Sequence, residues 1–501
     1  MALKGTATIE LTNADGSKDI IKHDNMITNA VNDLCLSQRG EMSTILKIVK
    51  NNDSYAQAMF GGLLLFDEVL NDYADDYFIP TTKITGYASQ DAYAGLDVAR
   101  GSFNQSEGGV QEDGGYKFVW DFSTSQGNGT IKSLGLCLNK MGQIGASDAP
   151  VYSERQNFYI TNSTGAPFDT SGYMLTSGGT TNGIYNYRYI IVATIGNIAY
   201  AIDIYNVNYN SDYSPQYVMT NGGVLRLYKF DICTTSISLA GKAGMANYLG
   251  YVDVQLPTEF TNILHTETLS SSDCVFAFFY DYATSKLTLF PCQKKADIAV
   301  NGTTKYVDID LANDMSISVS TFTNNTAGKI LKGARYYRGG TGLNFFVCKD
   351  YIVNFSVVGS VTKMYVTKRS DNTQVTEVKY VGGGDFSFST TSAIYFMPLI
   401  VNGNMFVFRY AVDSGDYYTY ILDMSNGKLK KTNANGFSST SVQGYLDIGS
   451  KMVYAGVGNN LKYELVFNPF VLTTKNNLDS PVTKTSSQTM KITYTLSEVE
   501  V

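Results

Sequence analysis

The sequence has little charge, two histidines, one tryptophan and no closely spaced cysteine pair. Charged residues are 17% of its 501 residues, and 38 basic against 45 acidic side chains give a formal net charge of -7. A nucleic-acid binder needs a concentrated basic face, so this balance argues against one. The six cysteines never occur as CxxC, which excludes the usual zinc and thioredoxin-like motifs. We therefore expect no nucleic-acid partner and no thiolate-bound metal.

Long apolar runs are also missing. The first residues contain no continuous apolar stretch of about 7 to 15 residues, so the start does not resemble a secretory signal, and synthesis in a cytoplasm is expected. The most apolar stretch, Tyr189 to Ile204, is interrupted by Gly196 and Asn197 and is shorter than the roughly 20 residues of a membrane helix. The sequence predicts no membrane span.

Two cysteines flank a predicted hairpin. Cys274 and Cys292 lie on either side of a turn centred near Ala283, so their side chains are candidates to face each other across two strands. A reducing compartment favours free thiols, and whether the two pair is left open.

Catalytic motifs are absent. His23 and His265 stand outside any nucleophile or metal motif, and the chain contains no GxSxG, HExxH, P-loop or GxGxxG before a helix. The sequence therefore assigns no catalytic residue, no cofactor and no metal ligand, and predicts that the protein is not an enzyme. A glycosidase needs only two carboxylates, however, and the sequence singles out no pair among 45 acids.

Two clusters of polar residues are not interpreted as functional sites. The acidic group is interpreted as a solvated loop; its members are Asp67, Glu68, Asp72, Asp75 and Asp76. A second group alternates like the ligands of a calcium loop but carries one charge and no terminal Glu, so calcium is not predicted there; its members are Asn206, Asn208, Asn210 and Asp212.

Strands are predicted at both ends of the chain. Residues 6–12 alternate between apolar and polar side chains before a turn at 13–16, and residues 489–497 alternate in the same way. Apolar residues at helical spacing predict helices over 26–35, after Asn25 as N-cap, and over 42–49. A hairpin is predicted from 116 to 138 around the Gly-rich turn 126–129.

The middle of the chain is predicted to consist of repeated hairpins. Apolar strand pairs begin at 188, 344, 393 and 445, and the last three starts are about 50 residues apart. Other hairpins are predicted over 224–240, 275–290, 363–381 and 417–432. Two hairpins per period make a four-stranded unit of the length of a kelch-like propeller blade, and the count is about five or six blades. The alternative is a β-sandwich with long strands.

These elements predict a mainly β chain with two domains. Residues 1–155 and 470–501 form a discontinuous α+β or β-sandwich-like anchoring domain, and residues 156–469 form an inserted β-propeller-like domain.

Tyrosine is the residue type that points to binding. The chain has 37 tyrosines, and several lie in stretches that read as loops, where a ring with a polar tip suits contact with proteins or glycans. The candidate binding residues are Tyr205, Tyr209, Tyr213, Tyr217, Tyr336, Tyr337, Tyr417 and Tyr418. The alternative is that tyrosines fill the faces of the blades, which is the preferred interpretation for strand residues such as Tyr200.

Three segments resemble the frame of bacteriophage tail proteins. They are VWDFSTSQGNGTIKSLGL at 119–136, KGTATIELTNADGSKDIIKHDNMITNAVNDL at 4–34 and PVTKTSSQTMKITYTLSE at 481–498. The resemblance covers roughly the first 140 and last 20 residues and contains no catalytic signature.

The resemblance implies a structural protein of the virion tail, synthesised in the host cytoplasm and located in the adsorption apparatus. The expected partners are other virion tail proteins, further copies of this chain in a homo-oligomer, and a host-surface glycan or protein receptor. Two alternatives remain: a tail-associated carbohydrate depolymerase that uses a carboxylate pair, and a purely structural collar or baseplate protein.

Overall fold

The structure is a computed structural model that describes most of both compact units of the chain. The described residues are 2–31, 49–50, 53–54, 59–80, 84–111, 115–137, 176–181, 184–187, 189–196, 198–205, 216–218, 223–231, 247–263, 273–274, 276–291, 296–331, 345–390, 394–402, 404–412, 418–432, 442–448, 451–456, 462–467 and 471–499. Unit 1 contains residues 1–158, 432–438 and 467–501, and unit 2 contains residues 159–431 and 439–466.

Strands make up most of both units. The first eighteen are β1 (Ala2–Thr12), β2 (Lys18–Ile27), β3 (Val49–Lys50), β4 (Asp53–Ser54), β5 (Gly62–Phe66), β6 (Ile84–Ala88), β7 (Ser102–Phe103), β8 (Gly109–Val110), β9 (Tyr116–Phe122), β10 (Gly129–Cys137), β11 (Thr176–Thr181), β12 (Ile184–Tyr187), β13 (Tyr189–Ile195), β14 (Ile198–Tyr205), β15 (Gln216–Val218), β16 (Val224–Asp231), β17 (Asn247–Gln255) and, after a helix α1 (Thr258–Thr261), β18 (Asp273–Cys274). The others are β19 (Phe276–Asp281), β20 (Lys286–Pro291), β21 (Thr303–Asp310), β22 (Ser316–Thr323), β23 (Phe345–Val347), β24 (Tyr351–Val358), β25 (Val361–Lys368), β26 (Asp371–Glu377), β27 (Lys379–Tyr380), β28 (Ser387–Ser389), β29 (Ile394–Asn402), β30 (Met405–Val412), β31 (Tyr418–Asp423), β32 (Lys428–Thr432), β33 (Val442–Ile448), β34 (Lys451–Gly456), β35 (Lys462–Phe467), β36 (Thr474–Lys484) and β37 (Thr489–Val499).

Unit 1 is one ten-stranded sheet that brings the two ends of the chain together. Its order is β6-β5-β10-β36-β2-β1-β37-β9-β7, with β8 also on β9. The first strand pairs with the last over eleven residues, from Ala2 opposite Val499 to Thr12 opposite Thr489, and the alternating pattern of both strands explains why. The hairpin predicted around residues 13–16 forms as β1 and β2.

The sheet of unit 1 nearly closes into a barrel. The Tyr87 N–H in β6 donates to Ala99 O at 2.9 Å and the Gly101 N–H donates to Tyr87 O at 2.8 Å, immediately before β7. The barrel is filled by large apolar side chains, and the indole N–H of buried Trp120 donates to Ser89 O at 2.9 Å. Among the largest buried side chains are Trp120, Tyr494, Phe60, Phe66, Phe118 and Phe122.

The hairpin predicted over 116–138 is wrong, although both strands exist. β9 pairs with β37, β7 and β8, whereas β10 pairs with β5 and β36. Both strands carry buried side chains at adjacent positions, such as Val119 and Trp120, because each is covered on two faces. The short Gly-rich connection therefore turns a corner between two parts of the sheet. Gly127 has a φ of 62° in that turn.

The first predicted helix begins later than expected. Residues 26 and 27 belong to β2, where Met26 pairs with Lys475 and Ile27 with Thr474, so the backbone groups that a helix would need are taken by β36. Helical conformation starts at residue 29 and is described to residue 31. The second predicted helix lies outside the described residues except for Val49, which is in β3.

Unit 2 consists of small antiparallel sheets that follow one another along the chain. β13, β14, β16 and β17 form the first, to which β15 and β18 add a short extension, and β19 to β22 form the second. β23 to β26 form the third with β28 at its side, β29 to β32 form the fourth with β27 at its edge, and β33 to β35 form the fifth. This is the up-and-down organisation of propeller blades.

Four contacts join first strands of these sheets, and the third and fourth sheets meet through side chains. β13 contacts β19, β19 contacts β23, β29 contacts β33, and β33 returns to β13. The third and fourth sheets share a core in which the rings of Phe346 and Phe406 stack at 4.3 Å. Apart from the two-stranded sheet of β11 and β12, the sheets of unit 2 that the structure describes thus form a five-bladed, β-propeller-like arrangement. The prediction of a mainly β chain is confirmed.

The second and third blades are joined by a charged clasp. Arg369, in the turn after β25, donates to both carboxylate oxygens of Asp308 in β21 at 2.8 and 2.9 Å. The same guanidinium donates to Cys348 O and Lys349 O at 3.1 Å and lies 5.0 Å from the ring centroid of Tyr306. Only 14% of the Arg369 side chain and 18% of the Asp308 side chain are exposed.

The individual hairpin predictions had mixed outcomes. The hairpin of 275–290 forms as β19 and β20, with Phe276 opposite Pro291. In the predicted hairpin of 224–240 only the first strand is described, as β16, and its partner is β17 at 247–255. The side chains of Cys274 and Cys292 lie outside the described residues, and Cys137 and Cys348 are buried thiols.

Candidate functional site

Most of the predicted binding tyrosines lie beyond the described part of unit 2. Those outside the described residues are Tyr209, Tyr213, Tyr336, Tyr337 and Tyr417. Tyr205 and Tyr217 were expected in loops, but their backbones lie on paired strands, β14 and β15. Backbone pairing joins residues 204–205 to residues 216–217, the two ends of that Tyr/Asn-rich segment.

Tyr418 is the predicted residue whose side chain is described. It is the first residue of β31 rather than a loop residue, because it pairs with Tyr410 of β30. Its side chain is 39% exposed, and the Lys431 ammonium lies 3.2 Å from its ring centroid. A ring held by a cation is a rigid, half-exposed aromatic contact.

A further exposed tyrosine lies on the outer strand of the first blade. Tyr251 is 49% exposed, and the Arg226 guanidinium covers its ring at 3.8 Å from the centroid. Asp253 fixes that guanidinium through two hydrogen bonds of 2.7 Å. Tyr251 was not among the predicted binding tyrosines, which were those in stretches that resemble loops, because it lies in strand β17. The sequence feature that marks this site is the pairing of Arg226 with Asp253 across two strands. It can be recognised only when the register of β16 and β17 is known.

A groove on unit 1 gathers polar side chains from opposite ends of the chain. Glu10, Lys491 and Asp121 stand side by side because β1 pairs Glu10 with Lys491 and β9 pairs Lys491 with Asp121. The groove has a volume of about 400 Å³ and is also lined by Tyr93, Ser102 and Gln126. Buried Phe122 and Met490 contribute apolar atoms to it.

Each charged side chain in the groove has a partner. Glu10 pairs with Lys18 at 2.8 Å, Lys491 pairs with Glu107 at 2.5 Å, and the Asn104 amide donates to Asp121 at 2.8 Å. The Glu107 hydrogen bond, with further attraction from Asp121 and Glu10, raises the pKa of Lys491. Conversely, Lys491 lowers the pKa of Glu107. The groove is therefore polar, with Glu10 and Lys491 in ion pairs and Asp121 hydrogen-bonded to an amide.

One wall of the groove is a loop held by its own hydrogen bonds. The Asp97 N–H donates to the Tyr93 hydroxyl at 2.8 Å, while the Tyr87 hydroxyl donates to the Asp97 carboxylate at 2.7 Å. The Arg100 guanidinium lies 4.4 Å from the Tyr93 ring centroid. This loop leaves Leu96 97% exposed, which makes it a fixed apolar projection beside the groove.

The acidic group lies in the connection between β5 and β6, and two of its members, Asp72 and Asp76, attract a buried lysine. The Lys475 ammonium donates to Asn71 O and Tyr73 O at 3.0 and 3.1 Å. Burial lowers the pKa of Lys475, against the attraction of Asp76 and Asp72. These acids therefore help to hold unit 1 together.

Of the remaining predicted polar residues, only His23 is described. His23 in β2 faces Asp479 at 3.2 Å, which is a surface contact. His265 and the calcium-like segment 206–212 are outside the described residues. Within the described ranges, no three His, Cys, Asp or Glu side chains are grouped for a metal ion, and no helix has the length and apolarity to cross a membrane.

Comparisons with known proteins give only remote likenesses. No family model and no curated protein matches the chain. An exo-β-1,3-galactanase from Phanerochaete chrysosporium is 11% identical, with 65% of this chain and 70% of that one covered and a TM-score of 0.28. A sialidase from Trypanosoma rangeli is 10% identical, with coverage of 81% and 58% and a TM-score of 0.27. TolB from Acinetobacter baumannii is 11% identical, with 79% of each chain covered and a TM-score of 0.23. Likeness at this level supports no statement about activity.

Proposed function

We propose that the chain is a structural component of a bacteriophage tail, in its adsorption apparatus. In this proposal unit 1 is the virion anchor, and unit 2 contacts the host surface or neighbouring tail subunits. The observation that carries the proposal is the pairing of β1 with β37, which builds one frame from both chain ends. The propeller-like unit thus begins and ends at the same frame as an insertion, an arrangement that suits display of a binding module.

The anchor would bind its neighbours through side chains. The sheet of unit 1 is nearly closed, and a closed sheet offers no long unpaired edge for strand addition. Leu96 and Val98, 97% and 67% exposed on the hydrogen-bonded loop, are the apolar contacts that such an interface would use. Expected partners are other tail proteins and further copies of this chain in a symmetric oligomer.

A carbohydrate depolymerase is a second candidate. Among the described residues, Glu10 and Asp121 are two carboxylates that line one groove, two strands apart, or roughly 9 to 10 Å at the usual strand spacing. Lys491 stands between them in the strand register, however, and pairs with Glu107 at 2.5 Å. A glycosidase needs the space between its two carboxyls for the glycosidic bond, so a lysine in that place favours binding over cleavage.

Competition for phage adsorption tests the receptor role. We expect the purified full-length protein to protect host cells from adsorption of the phage that carries it. Tyr418→Ala should weaken that protection about fivefold or more, because removal of a half-exposed aromatic contact costs about 1 kcal/mol or more. Tyr73→Ala, an exposed tyrosine of unit 1, is the matched control and should protect like the wild type.

The outcomes test the receptor role of the protein and the contribution of Tyr418 separately. No protection by saturating wild-type protein would contradict the receptor role and favour the collar or baseplate alternative. Equal protection by the wild type and Tyr418→Ala would remove Tyr418 from the contact surface.

A further inference from the structure

The groove on unit 1 has the chemistry of a sugar site, and we propose that it binds a neutral saccharide unit. This inference concerns unit 1 and does not depend on the tail role or on the tyrosines of unit 2. It rests on the groove's size, on the pairing of its charges, on its mixture of hydrogen-bonding and apolar groups, and on its rigidity.

The size of the groove suits a small polyol. Its volume of about 400 Å³ lies in the lower part of the usual range of ligand sites, roughly 300 to 1,000 Å³. A hexose or a disaccharide fits that space, whereas a folded partner does not.

The charges of the groove select a neutral ligand. Glu10, Asp121 and Lys491 already have the partners Lys18, Asn104 and Glu107 at 2.5 to 2.8 Å. A charged ligand would have to displace one of these partners, and the group left behind would lose its hydrogen bond. A neutral ligand with hydroxyl groups can share their remaining lone pairs and protons without breaking them.

The hydrogen-bonding groups match hydroxyls in both senses. The carboxylates of Glu10 and Asp121 accept, the Lys491 ammonium donates, and the hydroxyls of Ser102 and Thr489 can do either. A sugar hydroxyl is likewise both a donor and an acceptor. The half-buried Tyr93 ring forms an apolar wall for the C–H face of a pyranose.

The groove is also rigid before any ligand arrives. Its floor belongs to three paired strands, β1, β37 and β9, and Tyr93 is fixed by Asp97 and by the Arg100 guanidinium. Walls that are already ordered reduce the conformational entropy lost on binding. Small polyols bind weakly, so they benefit from this reduction.

Filling the groove from an exposed position tests the proposal. Thr489→Trp places a large ring in the groove, because Thr489 is an exposed residue at its edge. Thr495→Trp is the matched control, since Thr495 is exposed on the same face of the same strand and does not line the groove. The probes are D-glucose, D-galactose and N-acetyl-D-glucosamine, with glucosamine and glucuronate as charged comparisons, measured on the full chain by saturation-transfer NMR and calorimetry.

We expect at least one neutral probe to bind the wild type and Thr495→Trp equally, and Thr489→Trp to bind it at least about tenfold more weakly. The proposal is overturned if no neutral probe binds the wild type, if Thr489→Trp binds like the wild type, or if the charged sugars bind more tightly than the neutral ones. Release of p-nitrophenol from the corresponding nitrophenyl glycosides would overturn binding without cleavage and support the depolymerase.

Discussion

Replacing Arg369 by Leu should lower the free energy of unfolding of unit 2 by about 3 kcal/mol or more. The substitution leaves the Asp308 carboxylate, 18% exposed, without the guanidinium that now donates to both of its oxygens. It also removes the donors to Cys348 O and Lys349 O within the third blade, and it breaks the link from the third blade to Asp308 of the second. The effect should appear as a lower denaturant midpoint in far-UV circular dichroism.

The matched control is Arg226→Leu on the first blade. Arg226 holds Asp253 in the same two-bond geometry, but 31% and 40% of these side chains are exposed. Solvent screens such a pair, so we expect a loss of about 1 kcal/mol or less. Equal midpoints for the two variants would contradict the account of the clasp. Fluorescence of Trp120, the single tryptophan, which lies in unit 1, should be unchanged in both.

Replacing Lys484 by Met should stabilise unit 1 at neutral pH by about 1 to 3 kcal/mol. Lys484 is buried, with only 1% of the residue exposed. Its ammonium donates to the Asn128 side chain at 2.7 Å and to Thr124 O at 3.4 Å. Burial lowers the pKa of Lys484 to about 8 from its ordinary value of 10.5. Removing a partly desolvated charge removes that cost.

The lowered pKa of Lys484 also predicts that the stability of unit 1 depends on pH. Between pH 8 and 10.5 the unfolded chain holds the Lys484 proton more tightly than the folded chain, so the wild type gains stability as pH rises through this window. Below pH 8 the lysine is charged in both states and the cost is constant. The difference between Lys484→Met and the wild type should therefore shrink from pH 8 to pH 10, as followed by Trp120 fluorescence in urea.

Lys491→Met is the control of opposite sign. Glu107 raises the pKa of Lys491, so this pair contributes stability at pH 7 that is lost as pH rises through the raised value. We expect Lys491→Met to be slightly less stable than the wild type at pH 7, by about 1 kcal/mol or less. A stabilising effect of Lys491→Met, or a pH-independent effect of Lys484→Met, would be inconsistent with burial as the cause.

The sequence predicted the parts of the fold that a local pattern can encode. Alternation in residues 6–12 and 489–497 identified β1 and β37, and the similarity of the two patterns suggested their pairing. The same reasoning failed for β9 and β10, because a Gly-rich turn between two apolar strands fits a hairpin as well as a corner. What decides between them is the pairing of each strand with segments remote in sequence.

The repeat spacing predicted only some of the blades of unit 2. The starts at 344, 393 and 445 match the third, fourth and fifth blades. The second blade was only half predicted, since no hairpin was predicted over β21 and β22. Short polar strands such as SISVSTFT carry weak alternation, and their place is fixed by pairing with a buried neighbour.

The groove had no signal in any single segment. Glu10, Asp121 and Lys491 are separated by more than a hundred residues from one another, and only the register of β1, β37 and β9 makes them neighbours. Tyr418 was found because tyrosine content is visible in composition. Its position in a strand and its contact with Lys431 were not.

Immunogold electron microscopy of purified phage particles tests the central proposal most directly. The antibody would be raised against residues 159–431 of unit 2 and checked on the denatured virion protein. The account predicts gold at the distal end of the tail. Label confined to the collar would contradict the adsorption role, and absence of the chain from denatured virions would contradict the tail assignment itself.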